Sequence, residues 1–127
     1  MKKRHQGFTL IELLVTIAVM GALIMIALPL YTQYVAKSRQ QEAKAALMAV
    51  RQAQEVYKLQ YGSYSLVTTS LSGWKSTAGK YTMALTGASA TTFSASATGN
   101  IDSDATNDVW SIDQDGNLLN TTNDVDS

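Results

Sequence analysis

The chain has 127 residues, no cysteine and a formal net charge of zero. This length supports one small domain beside a long helix and excludes a two-domain enzyme, and the lack of cysteine excludes disulfides and thiolate chemistry. From Gly62 onward the sequence has two lysines and seven aspartates. Because phosphate recognition rests on clusters of lysine and arginine, this acidic part of the chain makes nucleic acid an unlikely partner.

A basic leader, residues 1–7, precedes a long apolar segment. Residues 13–36 form 24 consecutive positions without a charge, more than the roughly 20 that cross a bilayer as a helix. We therefore predict a membrane-spanning helix over residues 8–36, apolar around its whole circumference. A secretory signal peptide is the first alternative, but its apolar run is usually about 7 to 15 residues long. A simple single-pass anchor is the second, and it leaves Glu12 unexplained.

Glu12 is a carboxylate at the start of this apolar segment. Such a group costs about 2.5 to 3.5 kcal/mol near the centre of a membrane and less toward the end of the helix, so it is a functional candidate. The motif GFTLIE at residues 7–12, between the basic leader and a long apolar run with Pro29, resembles the class III signal of type IV pilins and pseudopilins. The resemblance implies that a prepilin peptidase cuts between Gly7 and Phe8 and then methylates the amine of Phe8.

The same resemblance implies that Glu12 and Phe8 act in assembly, together with an assembly platform in the inner membrane. After such a cut the amine of Phe8 lies one helical turn from Glu12, on the same side of the helix. Pairing with a cation lowers the cost of a carboxylate in a low-dielectric setting. The sequence leaves open whether Glu12 pairs with its own amine or with that of a neighbouring subunit.

Gly21 and Pro29 interrupt the apolar helix. Proline removes the hydrogen bond to the carbonyl four residues back and crowds that carbonyl, so a kink is predicted. Beyond Pro29 an amphipathic half of the same helix is predicted over residues 37–61, ending at Gly62. Its predicted core stripe consists of Ala43, Ala46, Leu47, Val50, Ala53, Tyr57 and Tyr61.

The remaining chain predicts a loop followed by strands. Residues 62–79 are rich in Ser, Thr and Gly, and the period becomes two within residues 80–127. Strands are predicted at 81–86 and 90–98, joined by a hairpin through 87–89, and at 109–113 and 117–120, joined at Asp115-Gly116. The predicted fold class is α+β, a long helix packed against a four-stranded antiparallel sheet, with an acidic C-terminal tail. The resemblance implies the same fold.

Four aspartates are candidate metal ligands: Asp102, Asp104, Asp108 and Asp113. Counted from Asp102, oxygen-bearing side chains fall at spacings similar to those of a calcium loop. The match is poor because the sixth position is Asn107 and the twelfth is Asp rather than Glu. Calcium, which the resemblance to pseudopilins implies, is thus one hypothesis for this segment, and a turn with solvated carboxylates is the other.

The leading functional hypothesis is a structural subunit of a type IV pilus, a homo-oligomeric helical filament used for adhesion, twitching motility or surface colonisation. The chain would lie in the inner membrane before assembly and in the extracellular pilus afterwards. The alternatives are a pseudopilin of a type II secretion system, in a periplasmic pseudopilus, and a monomeric membrane-tethered binding module. A DNA-uptake pilin is opposed by the acidic charge. Enzymatic activity is not expected, since the sole histidine, His5, lies in the leader.

Overall fold

The computed structural model describes residues 7–125 of the chain. Helix α1 spans Leu10–Tyr61, and a short 3-10 helix spans Thr68–Ser70. The strands are β1 (Thr77–Ala78), β2 (Tyr81–Ala88), β3 (Phe93–Gly99), β4 (Asp108–Asp113) and β5 (Leu118–Thr122). The chain divides into two compact units, one up to Tyr34 and one from Val35 onward.

Helix α1 is continuous over 52 residues and includes Pro29. It ends where the sequence predicts, because Gly62 adopts a φ of 78° and donates its N–H to the carbonyl of Lys58 at 2.7 Å. A side chain at that φ would be strained, so glycine suits this stop. The helix begins two residues after Phe8, at Leu10.

The sheet has five antiparallel strands in the order β1-β2-β3-β4-β5. The predicted α+β fold is confirmed, and the predicted number of four strands is wrong. The additional strand, β1, lies in the segment predicted as a loop and pairs Thr77 with Thr82. Two residues are too short to show an alternating pattern, so the sequence gives no sign of this strand.

The first hairpin also differs from its prediction. Strand β2 continues through Gly87 and Ala88, with a register shift after Leu85, and β3 begins only at Phe93. The turn is formed by residues 89–92, where the N–H of Ser89 donates to the carbonyl of Thr92 at 2.8 Å. Gly87 therefore belongs to a bulged strand rather than to the turn. The predicted turn at Asp115-Gly116 is confirmed, with Gly116 at a φ of 85°.

The core lies between the second half of α1 and one face of the sheet. Alternate residues of β3 and β4 are buried, as period two predicts. The buried helix residues are Ala36, Gln40, Ala43, Leu47, Val50 and Gln54. Tyr61, predicted in the core stripe, is 65% exposed and stacks on Tyr57 with ring centroids 4.4 Å apart.

Two glutamines occupy core positions that the sequence analysis did not assign. The amide of Gln54 donates to the carbonyl of Ser65 at 2.6 Å and accepts the N–H of Ser65 at 2.9 Å. These two hydrogen bonds satisfy the backbone N–H and carbonyl of Ser65 and join the segment after α1 to the helix. Buried polar groups need such partners, so Gln54 is a specific contact rather than a polar residue misplaced in a core.

Candidate functional site

The N-terminus of α1 places Glu12 in a capping box. Thr9 precedes the helix, and its hydroxyl accepts the N–H of Glu12 at 3.3 Å. In return the Glu12 carboxylate accepts the backbone N–H of Thr9 at 3.4 Å and its hydroxyl at 3.5 Å. This arrangement is a recognised sequence signature of a helix N-terminus, and the sequence analysis did not identify it.

The capping contacts leave Glu12 able to meet a further cation. All three bonds are long for hydrogen bonds, and the residue is exposed. The carboxylate also lies in the first turn of α1, where negative charge is favoured by the helix dipole. A cation near this turn could pair with the Glu12 carboxylate, because the helix carries no other charge until Lys37.

Gly7 and Phe8 lie before the helix, in a segment without regular structure. Among the described residues, no atom outside the chain neighbours of Gly7 lies within 4 Å of a Cβ built on it, and Phe8 is 85% exposed. The bond between them is therefore accessible. The rest of the predicted leader, residues 1–6, lies outside the residues that the structure describes, as do the last two residues of the predicted acidic tail.

The first half of α1 exposes its apolar side chains. Leucine, isoleucine, valine and methionine side chains between Leu10 and Leu30 are at least half exposed, and the helix contains a stretch that is long and apolar enough to cross a membrane. Gly21 and Pro29 lie within this helix without interrupting it, and the hydroxyl of Thr32 donates to the carbonyl of Pro29 at 2.9 Å. The predicted kink stays a prediction.

The second half of α1 has an outer face without charge. After Glu42 the exposed residues of the helix are Ala45, Met48, Ala49, Gln52, Val56, Leu59, Gln60 and Tyr61. A helix face in water normally carries charged residues. Here the exposed residues are apolar apart from Gln52 and Gln60, with Leu59 87% and Val56 56% exposed.

Four of the five cations of this half contact the sheet or the chain that follows α1, and the fifth, Lys37, is exposed before this face begins. Arg39 donates to the carbonyl of Ile101, and Arg51 donates to the carbonyl of Gln114 at 3.2 Å. The ammonium of Lys44 lies 4.4 Å from the ring centroid of Trp110. Lys58 lies at the same distance from the ring of Tyr64. The outer face of α1 is uncharged because these side chains point away from it.

Asp108, one of the predicted metal ligands, is fully buried at the centre of a hydrogen-bond network. One oxygen accepts the hydroxyl of Tyr81 at 2.5 Å and the indole N–H of Trp110 at 2.6 Å. The other accepts the amides of Gln40 at 3.0 Å and Asn120 at 3.1 Å, and the backbone N–H of Asp124 at 3.3 Å. Asp108 thus joins α1, three strands and the C-terminal segment.

Burial and the neighbouring carboxylate of Asp108 raise the pKa of Tyr81 above its usual value of 10.0. The tyrosine hydroxyl therefore stays a donor to Asp108 at neutral pH. In this cysteine-free chain Asp108 holds the C-terminal segment through Asp124, and the carboxylate of Asp124 in turn accepts the N–H of Ile101 at 3.2 Å.

The four predicted metal ligands do not come together. Asp113 is the last residue of β4, and hydrogen bonds from Asn117 lower the pKa of its carboxyl. Asp102 and Asp104 instead lie near Asp124, with one oxygen of each within 4.8 Å of the others. Such oxygen ligands suit calcium. Asp104 and Thr106 also donate their N–H groups to Asp102 and Asp104 within an Asx-rich loop.

The calcium hypothesis stays a prediction, now with Asp124 in place of Asp108 and Asp113. The hypothesis is tested by comparing the melting temperature of the protein in calcium and in chelator. Calcium that binds only the folded state would raise the melting temperature.

Two family models match the chain. The model described as "Prokaryotic N-terminal methylation motif" matches residues 2–28, and the one described as "Type IV minor pilin ComP, DNA uptake sequence receptor" matches residues 29–108. A fimbrial protein of Neisseria meningitidis serogroup A is 30% identical over 123 residues, which cover 93% of this chain and 72% of that protein.

Two further relatives match a smaller share of the chain. The type IV major pilin protein PilA of Myxococcus xanthus is 42% identical over 62 residues, covering 49% of this chain. Fimbrial protein EcpC of Eikenella corrodens is 54% identical over 43 residues, covering 34% of this chain. In each case the match spans 28% of the relative's length.

The methylation motif and the long exposed apolar helix define a class of protein with an N-terminal methylation motif on a helix able to cross a membrane. Two matches identify the family within that class. One is the pilin model over residues 29–108, and the other is the fimbrial protein whose match covers 93% of this chain. The chain belongs to the type IV pilin family.

Proposed function

We propose that this chain is a structural subunit of a type IV pilus that packs through α1 into a homo-oligomeric helical filament. The observation that carries the proposal is the uncharged outer face of α1 after Glu42, in a helix whose first half also exposes its apolar side chains. An apolar surface of this extent is costly in water and requires lipid or other protein around it. In the inner membrane lipid covers the first half, and in the filament neighbouring helices cover both.

Processing would prepare the helix for this packing. A prepilin peptidase would cut between Gly7 and Phe8, and the new amine of Phe8 would be methylated and carried to the assembly platform. The accessible Gly7–Phe8 segment and the loosely held carboxylate of Glu12 support this order. A neighbour's amine facing Glu12 would satisfy both charges away from water and would set the register between subunits.

The test of this proposal places one charge on the outer face of α1. Met48→Glu should abolish sheared surface fibres because the new carboxylate would be buried without a partner, while the purified protein keeps its circular dichroism spectrum. Ala84→Glu is the matched control, since Ala84 is exposed on β2 and lies on no part of α1. Fibres of Met48→Glu in normal yield would contradict packing through this face.

A secretion pseudopilus and a monomeric membrane tether are the alternative proposals. Lost protein secretion with surface fibres intact would favour the pseudopilus. A chain that keeps residues 1–7 and never self-associates would favour the tether. Adhesion, twitching motility and surface colonisation are the roles proposed for the pilus itself, and none of them requires the chain to be an enzyme.

A minor pilin that takes part in DNA uptake is the second candidate, because one matching family model describes a DNA uptake sequence receptor. The charge pattern opposes DNA binding by the sheet domain. Arg39 and Arg51 donate to backbone carbonyls, and Lys44 and Lys58 lie over aromatic rings. The exposed lysines of this domain, at 37, 75 and 80, are outnumbered by the seven aspartates after Gly62. We therefore expect no mobility shift of duplex DNA at low salt, where electrostatic binding is strongest.

A further inference from the structure

Met48 differs in its surroundings from the other methionines that the structure describes. Met20 and Met25 lie in the apolar first half of α1, and Met83 belongs to the core, where it is 5% exposed. Met48 instead lies on the uncharged outer face of the second half and is 39% exposed. Its thioether is therefore open to water in a subunit that has not yet assembled.

An accessible thioether reacts with hydrogen peroxide. The chain has no cysteine, so its thioethers are its only sulfur groups. The sulfur attacks one peroxide oxygen, an S–O bond forms as the O–O bond breaks, and the leaving hydroxide takes the proton of the transferred oxygen to become water. The sulfur is oxidised by two electrons and the peroxide is reduced. The product, methionine sulfoxide, is a polar side chain in place of an apolar one.

The neighbours of Met48 on α1 offer few hydrogen bonds to a sulfoxide oxygen. Residues three and four positions apart share a helix face, which places Ala45 and Gln52 beside Met48. Lys44 and Arg51 have the same spacing, but Lys44 lies over a ring of the sheet and Arg51 donates to a carbonyl in the turn between β4 and β5. Gln52 is thus the one polar neighbour on the outer face within a turn of Met48. Burying a sulfoxide there exchanges its water contacts for mainly apolar ones, which is unfavourable.

We propose that Met48 is an oxidation site at which hydrogen peroxide blocks assembly, by converting its thioether to the sulfoxide in subunits that have not yet entered a filament. The inference rests on the proposed function, because packing through the outer face is what buries Met48. Subunits already packed are protected, so the oxidant stops new assembly and leaves existing filaments intact. Methionine sulfoxide reductases restore the thioether at the expense of a thiol, which makes the block reversible.

The test follows new fibres made from an oxidised pool of subunits. Cells are sheared to remove existing fibres, given an inhibitor of translation, exposed briefly to hydrogen peroxide and allowed to form fibres again. We expect a severalfold lower fibre yield than in cells without peroxide. Mass spectrometry should find the sulfoxide at Met48 in the membrane pool and the unmodified thioether at Met48 in the new fibres.

Two substitutions at the same position separate Met48 from other targets of peroxide. Met48→Leu keeps an apolar side chain of similar size without sulfur and leaves Met20 and Met25 in place, so its fibre yield should be the same with and without peroxide. Met48→Gln introduces a polar, uncharged side chain of similar length and should lower fibre yield severalfold in the absence of peroxide.

Failure of this inference can be told apart from failure of the proposed function. An equal loss of fibres in the wild type and in Met48→Leu would overturn the inference, because the damage would lie elsewhere. A membrane pool without the sulfoxide, fibres rich in the Met48 sulfoxide, or a normal yield of Met48→Gln fibres would also overturn it. Each of these results leaves the pilus subunit proposal standing. Absence of fibres from untreated wild-type cells would overturn the proposed function and this inference together.

Discussion

The two halves of α1 differ in where their side chains find partners. Before Val35 the large apolar side chains are exposed, and the Glu12 carboxylate contacts Thr9 at the start of the helix. After Val35 one face of the helix is buried against the sheet, and the cations contact carbonyls and rings. The first half must therefore be covered from outside the chain, whereas the second half is covered by the chain on one face only.

From this difference we expect folding and assembly to use separate residues. The sheet domain should keep its stability when the first half changes, and the first half should insert into a membrane when the sheet domain is damaged. The uncharged outer face is the exception, because it belongs to the folded domain and yet is left for a partner. Substitutions in each of these regions test whether folding and assembly depend on separate residues.

The largest expected effect is that of Glu12 on assembly. Glu12→Gln keeps the size of the side chain and removes its charge, so a neighbour's amine would be buried unpaired, at a cost of about 3 to 5 kcal/mol. We expect fibre yield to fall at least tenfold, measured by immunoblot of sheared fibres, with normal amounts of membrane-inserted protein.

Thr9→Ala is the control that separates the charge from the capping box. It removes the hydroxyl that accepts the N–H of Glu12 but leaves the carboxylate in place. Loss of a cap costs about 1 kcal/mol of helix stability, so fibres should form in near-normal yield. Normal fibres from Glu12→Gln would show that the carboxylate has no part in assembly.

The next effect concerns the stability of the sheet domain. In Asp108→Asn one acceptor becomes an amide donor that faces other donors, so we expect the free energy of unfolding to fall by about 2 to 4 kcal/mol. Denaturant unfolding of the full chain in detergent, followed by Trp110 fluorescence, measures this. Asp115→Asn, at an exposed turn position, should change it by less than about 0.5 kcal/mol.

An equal loss in both variants would mean that the Asp108 network does not hold the sheet domain together. Loss of membrane insertion in Asp108→Asn would break the proposed separation of the two halves. We expect insertion to be unchanged, because no residue before Val35 takes part in the hydrogen bonds described for Asp108.

The smallest expected effect is a loss of folding stability at alkaline pH. Because the pKa of Tyr81 is raised above 10.0 in the folded state, its neutral form stabilises folding fully below that pH. This contribution is lost as pH rises from 10 through the folded value. Tyrosinate absorbance of the folded protein should show at least one tyrosine that ionises only on unfolding, and Tyr81→Phe should remove it. Ionisation of every tyrosine near pH 10 without unfolding would contradict this environment.

The sequence predicts most of the fold because its signals are local. An uncharged run, a glycine after a helix and alternating residues each act through neighbours in the chain, and α1, Gly62 and the alternation of β3 appear as predicted. Strand β1 is too short to leave such a signal. The bulge after Leu85 moves the first turn, and no local pattern marks it.

The candidate sites were predicted less completely, because they depend on contacts between distant residues. Asp108 has the spacing of a possible ligand, yet its partners Gln40 and Tyr81 are 68 and 27 residues away. Asp124 joins Asp102 and Asp104 only through the fold. The capping box was readable from Thr9 and Glu12 at a spacing of three.

The most direct test of the account is mass spectrometry of the N-terminal peptide from sheared surface fibres. If α1 is processed and then packs between copies of itself, the fibres contain this chain beginning at Phe8, with a methyl group on its amine. Fibres built from chains that still carry residues 1–7, or fibres from which this chain is absent, would contradict assembly through the processed helix.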